Sequence, residues 1–123
     1  MDKQRTKLPG IIGAQLSAVS FVQDYVEFHF DGPVLRVLTH PTITIAKDMF
    51  RFPEAGSRDA LCTAIQDTIR DVEIQEHEQI VLHFVSGCRI AIPIREIGFT
   101  SPEAFTFQTK PFHSEVLEVW NAE

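Results

Sequence analysis

Alternation of apolar and polar side chains is the dominant pattern along this chain. In residues 25–30, Val26, Phe28 and Phe30 fall on one face of an extended segment while Glu27 and His29 fall on the other. A period of two marks a half-buried strand, because successive side chains leave a strand on opposite faces. Asp31-Gly32-Pro33 interrupts the pattern with turn chemistry, and residues 34–38 resume it, so residues 25–38 predict a hairpin. Residues 16–21 precede it as a first strand and complete a meander.

The same order returns later. Residues 69–74 are extended, residues 75–78 form a polar turn, and residues 80–84 make a strand. Ser86-Gly87 turns the chain into residues 89–94, where Pro93 marks a strand that lies at an edge or ends there. Set together, Ile12 falls on Ile65, Leu16 on Ile69, Val19 on Val72 and Phe21 on Ile74. After one extra residue, Val26 falls on Ile80, Phe28 on Leu82, His29 on His83 and Phe30 on Phe84. After a second, Gly32 falls on Gly87, Leu35 on Ile90 and Val37 on Ile92. Both insertions land at turns, where they cost least. The match predicts an internal duplication, about residues 11–52 and 58–120, within a single domain of 123 residues.

Residues 57–65 are the one helical segment expected. Ser57 supplies an N-cap, Asp59 an acid in the first turn, and Leu61 and Ile65 a short apolar stripe. Residues 42–45 and 49–52 read as strands extending the first meander, and residues 104–107 and 115–120 as strands extending the second. The expected fold is mainly β (α+β): two antiparallel meanders packed as a sandwich or partly open barrel, with one short helix between them.

Composition changes this picture only at its edges. Hydrophobic residues form 44% of the chain, enough for a core, and ten Phe against one Trp and one Tyr suggest rings that fill an interior. The net charge of -6 argues against a nucleic-acid partner, which needs clustered Lys and Arg, and favours a basic protein partner. Asp67, Asp71, Glu73, Glu76 and Glu78, relieved by Arg70, read as a solvated edge or as a partner surface. Cys62 and Cys88 have no paired-cysteine spacing and read as free core thiols of a cytoplasmic protein. The basic start, residues 1–7, runs into an apolar stretch too short and broken for a signal core. No apolar run approaches the roughly 20 residues of a membrane helix, so a membrane partner is not expected either.

Candidate chemistry is sparse. His29 and His83 occupy equivalent strand positions, and if the halves meet about a pseudo-twofold axis their imidazoles would approach. A metal site there would need a third ligand from His40, His77 or His113; the alternative is two solvent-facing histidines among charged neighbours. Cys88 beside Arg89 is the nearest approach to an activated thiol, with a structural thiol preferred. Asp48 and Glu96 are the carboxylates nearest to apolar neighbours and read as surface groups. Phe105 and Phe107 share a strand face and are expected in the core. Lys110, Phe112 and His113 lie in a loop-like context that would suit a protein contact or a ligand lip. No nucleophile elbow, phosphate-cradling glycine loop or zinc-binding helix motif is present, and no cofactor or metal is expected.

The repeated pattern reads Ile11-Ile12-Gly13-Ala14-Gln15-Leu16 with Phe28-His29-Phe30-Asp31-Gly32, then Ala64-Ile65-Gln66-Asp67-Thr68-Ile69 with Phe84-Val85-Ser86-Gly87. It resembles small uncharacterised bacterial proteins with a duplicated β-meander, some of them similar to toxin-immunity proteins. The resemblance covers about residues 11–94 and implies a bacterial source and a binding role, with no functional residues to carry over. Gln66 departs from it by standing where the pattern expects Gly. The preferred expectation is a non-enzymatic, immunity-like protein-interaction module. A small-ligand-binding or metal-dependent enzyme using His29 and His83 is the first alternative, and a structural homodimer joined at open sheet edges is the second.

Overall fold

The computed structural model describes residues 10–23, 25–75, 78–94, 103–108 and 118–121. The strands are β1 (Ala18–Val22), β2 (Tyr25–His29), β3 (Val34–Val37), β4 (Thr42–Ile45), β5 (Asp48–Arg51), β6 (Ile69–Gln75), β7 (Gln79–Phe84), β8 (Arg89–Pro93), β9 (Glu103–Gln108) and β10 (Glu118–Asn121), with helix α1 (Ser57–Cys62) between β5 and β6. Two antiparallel five-stranded sheets result, in the orders β1-β2-β3-β9-β10 and β5-β4-β8-β7-β6. Their inner faces share one core: Val26, Phe28, Leu35, Val37 and Phe107 come from the first sheet, and Ile43, Ile80, Leu82, Ile90 and Ile92 from the second. The sheets remain separate layers, so the sandwich holds and the partly open barrel does not. Among the described residues, no helix is long and apolar enough to cross a membrane.

One expectation is corrected in an informative way. Residues 42–45 and 49–52 form strands, but β4 pairs with β8 of the other meander, and β9 likewise pairs with β3. Each three-stranded meander is therefore completed by a hairpin from the opposite half of the chain. Alternation tells which side of a strand is apolar, and says nothing about which strand lies beside it; that choice is made by packing across the core.

The two halves share their registers. Val19 faces Phe28 and Phe21 faces Val26 in the first meander, just as Val72 faces Leu82 and Ile74 faces Ile80 in the second. Phe28 opposite Leu35 and Val26 opposite Val37 match Leu82 opposite Ile90 and Ile80 opposite Ile92. Where the halves cross, at the bridge between Gln15 and Thr68, hydrogen bonds come in equivalent pairs. Gly13 N–H donates to Ile69 O over 2.8 Å and Gln66 N–H to Leu16 O over 2.7 Å; Leu16 N–H reaches Asp67 O and Ile69 N–H reaches Ala14 O, both over 2.9 Å.

Gln66 shows why the expected glycine matters. Gly13 has φ +88° and Gln66 φ +81°, so the glutamine adopts its counterpart's left-handed backbone. A side chain costs roughly 1–2 kcal/mol there, a cost glycine avoids at the expense of some chain entropy. Gln66→Gly is therefore expected to raise unfolding free energy by about 0.5–1 kcal/mol in a urea titration. Gly13→Ala should lower it by about 1 kcal/mol, although open space surrounds the added carbon.

Helix α1 is shorter than residues 57–65. Gly56, in the left-handed conformation, is its N-cap, so Ser57 lies one residue inside and makes no capping bond. Thr63 ends the helix by turning its hydroxyl back to Ala60 O, over 2.6 Å. Of the expected apolar stripe, Leu61 is buried, while Ile65 lies past the helix end and is only half-buried; the helix packs against β4, β1 and β5. Pro93 is the last residue of β8, an inner strand, where its missing N–H is tolerated because the strand ends there.

Candidate functional site

Burial of Val26 and Phe28 sends Glu27 and His29 to the outer face of the first sheet, and burial of Ile80 and Leu82 sends His83 to the outer face of the second. Because the inner faces share one core, those outer faces look in opposite directions. The structure does not bring His29 and His83 together, and the shared imidazole site entertained from their equivalent positions is not assembled.

Each histidine is instead tied to a carboxylate on its own sheet. His29 Nε2 lies 3.3 Å from Ser20 Oγ and 3.3 Å from Glu27 Oε1. A Ser–His–acid grouping suggests nucleophile activation, but both contacts fall on the same ring nitrogen. A relay needs the hydroxyl on one nitrogen and the carboxylate on the other, so that the acid orients the ring while the ring takes the proton. Here Ser20 and Glu27 compete for Nε2. Glu27 also accepts from Arg36 Nε over 2.9 Å, and the Arg36 guanidinium lies 5.3 Å from the centre of the Tyr25 ring. Ser20, Glu27 and Arg36 are direct neighbours across β1, β2 and β3, so this group is a cross-strand polar ladder.

On the second sheet, His83 Nε2 lies 2.9 Å from Glu73 Oε1, and Gln75 Nε2 donates to Glu73 Oε2 over 2.9 Å. The His83 hydrogen bond, followed by that of Gln75, holds the Glu73 carboxyl below its ordinary value. A depressed carboxyl stabilises the fold above its unfolded pKa, and that contribution disappears as pH falls through the folded value. Glu73→Gln is accordingly expected to lower stability near pH 6, by less than about 1 kcal/mol because the pair is exposed. The gap should close well below pH 4.5, and acid titration of wild type and variant by circular dichroism would show it.

Two further polar clusters tie neighbouring elements together. Phe52 stacks on Phe21 with centroids 5.9 Å apart, and the Arg58 guanidinium sits 5.0 Å from the Phe52 ring centre and 5.8 Å from that of Phe21. His40 adds its ring 6.4 Å from Phe52 and its Nδ1 3.4 Å from Arg51 Nη2. This cation–aromatic cluster, which the sequence reading missed, fastens α1 to both sheets. Asp67 accepts from the backbone of Thr68 over 2.9 Å and from the Ser86 hydroxyl over 2.5 Å, tying the start of β6 to the β7–β8 turn. Cys88 is buried beside it, and burial above all pushes its thiol up, away from the reactive thiolate. Cys62 is exposed, correcting its assignment to the core, because α1 ends there and turns Ser57, Ala60 and Leu61 inward instead.

Phe107 is fully buried, as expected of a core ring. Lys110, Phe112 and His113, the expected contact loop, lie outside the described residues, as do Glu76, His77 and Glu96. Among the described residues, no group of three or more His, Cys, Asp or Glu side chains is placed to hold a metal. What the structure does gather is charge: Asp71, Glu73 and Glu78 are exposed along β6 and the turn after it, among Arg70 and Arg89. Compared with protein-family models, curated proteins and solved structures, the chain matches none of them.

Proposed function

We propose that this chain is a non-enzymatic, immunity-like protein-interaction module that holds a basic partner against the acidic side of its second sheet. The observation that carries the reading is the exposure of Asp71, Glu73 and Glu78 along one sheet end, on a chain of net charge -6. Such a field draws in a partner of opposite sign and disfavours like-charged ones. The reading places the protein in the cytoplasm, where Cys62 and Cys88 stay free thiols. It also takes the two halves as copies of one ancestral unit, which their shared registers support.

The test is cross-linked capture from extracts of the source cells, comparing the wild type with Asp71→Lys/Glu73→Lys and identifying captured proteins by mass spectrometry. A basic protein held by the wild type and lost by the variant supports the reading. An identical captured set from both chains would overturn it. So would a native mass carrying a metal or small molecule that disappears on His29→Ala or His83→Ala.

A further inference from the structure

We propose that β6 is a docking edge for an extended segment of the partner, one in which basic and apolar side chains alternate, added to the second sheet as a further strand. This deepens the reading of the chain as a binder of a basic protein and rests on it.

The strands at the sheet ends are β1, β10, β5 and β6. Two of these, β5 and β10, are only four residues long, and β1 is flanked by α1, whose Arg58 covers Phe21. β6 runs for seven residues and is paired with β7 along one side. On its other side Ile69 is held by Gly13 N–H and Ala14 O, next to the Gln15–Thr68 bridge; beyond Ile69, no strand pairs with that side among the described residues.

The Val72 amide shows which way that open side points. It donates to its neighbour's carboxylate, Asp71 Oδ1, over 2.9 Å, so it faces away from β7. A side-chain oxygen occupies the place that the carbonyl of an added strand would take. In an antiparallel ladder alternate residues turn both backbone groups to the same side, so Ile74 presents its N–H and C=O there as well.

The side chains then select the occupant. Val72 and Ile74 are partly buried against the core, while Asp71 and Glu73 are exposed on the outer face. An added strand alternates in the same way. Its inward side chains extend the apolar layer over Val72 and Ile74, and its outward ones meet the two carboxylates, which calls for Lys or Arg. Main-chain hydrogen bonds supply affinity whatever the sequence, and the alternation supplies specificity. Docking frees Asp71 from Val72 N–H and releases its carboxylate to pair with the incoming cation.

The experiment is calorimetric titration of the full chain with synthetic peptides of about nine residues, long enough to match a strand. The first alternates Lys with Val, the second replaces Lys by Glu, and the third keeps Lys and Val but carries N-methyl groups on alternate backbone amides. The expected result is binding of the Lys–Val peptide, with losses of at least about tenfold for the Glu–Val and N-methylated peptides. Asp71→Lys, checked for an unchanged melting temperature, should weaken the Lys–Val peptide by a similar factor. Asp71→Asn, which keeps an acceptor for Val72 N–H, should weaken it less. Equal binding of the parent and N-methylated peptides would overturn strand addition while leaving the basic-partner reading intact. No binding of the Lys–Val peptide would also overturn the proposal, and the capture comparison then decides the broader reading separately.

Discussion

Phe107→Ala is expected to cost about 3–5 kcal/mol, the range for emptying a buried aromatic site. Phe107 is fully buried and lies on β9, opposite Leu35 of β3, so it enters the first sheet from the second half of the chain. Truncating it leaves a void between the sheets next to Leu35, where neighbours can relax only in part. Native stabilities of this size class are typically about 5–15 kcal/mol, so the variant should sit near the edge of folding. Urea denaturation followed by both fluorescence and circular dichroism is the measurement. Because residues of both sheets form one core, both probes should shift together. A loss below about 1 kcal/mol would mean that the exchanged hairpin is not part of the cooperative core.

The second large effect concerns two buried hydroxyls that should respond in opposite directions. Thr39 is fully buried where the chain crosses from β3 in one sheet to β4 in the other, and its Oγ1 donates to Pro93 O over 2.7 Å. Thr39→Val preserves shape, removes the donor, and leaves the carbonyl at the end of β8 without it. Leaving a buried acceptor unmatched costs about 1–3 kcal/mol; the lower part of that range applies because Pro93 is half-buried. Ser57 is equally buried, yet its Oγ has no hydrogen-bond partner among the described residues. Its hydroxyl already bears the desolvation cost, so Ser57→Ala should be neutral or stabilising by up to about 1 kcal/mol. Thermal melts of the two variants check the contrast. A destabilising Ser57→Ala would reveal a partner for that hydroxyl.

Those two hydroxyls also show how local signals mislead. Ser57 looks like a helix cap by residue type, but the left-handed Gly56 before it takes that position. The serine is thereby carried one residue inward and buried. Cys62 and Cys88 both read as core thiols from their surroundings, yet only Cys88 is inside. Helical phase decided the first, and Cys88, just before β8, is buried in step with Ile90 and Ile92. Among the site candidates, the position of His29 and His83 on outward strand faces was legible, since Phe28 and Leu82 beside them had to point inward. Their partners were not: Glu73 lies on the strand next to His83, and a sequence shows no register until strands pair.

Taken by itself, the sequence determined what short-range physics controls. Period-two alternation set the strands and their inward faces, and turn residues set the hairpin ends. Gln66, where the repeated pattern expects Gly, has the left-handed backbone that favours glycine. Tertiary structure decided everything that depends on two distant segments meeting. It sent β4–β5 and β9–β10 to opposite halves, placed the two histidines on the outer faces of different sheets, and left β6 beyond Ile69 as the longest edge unpaired among the described residues. The physical reason is that a strand's inner face is apolar whichever neighbour it has. Neighbours are chosen by how whole faces fill a common core, an energy that no local stretch of sequence carries.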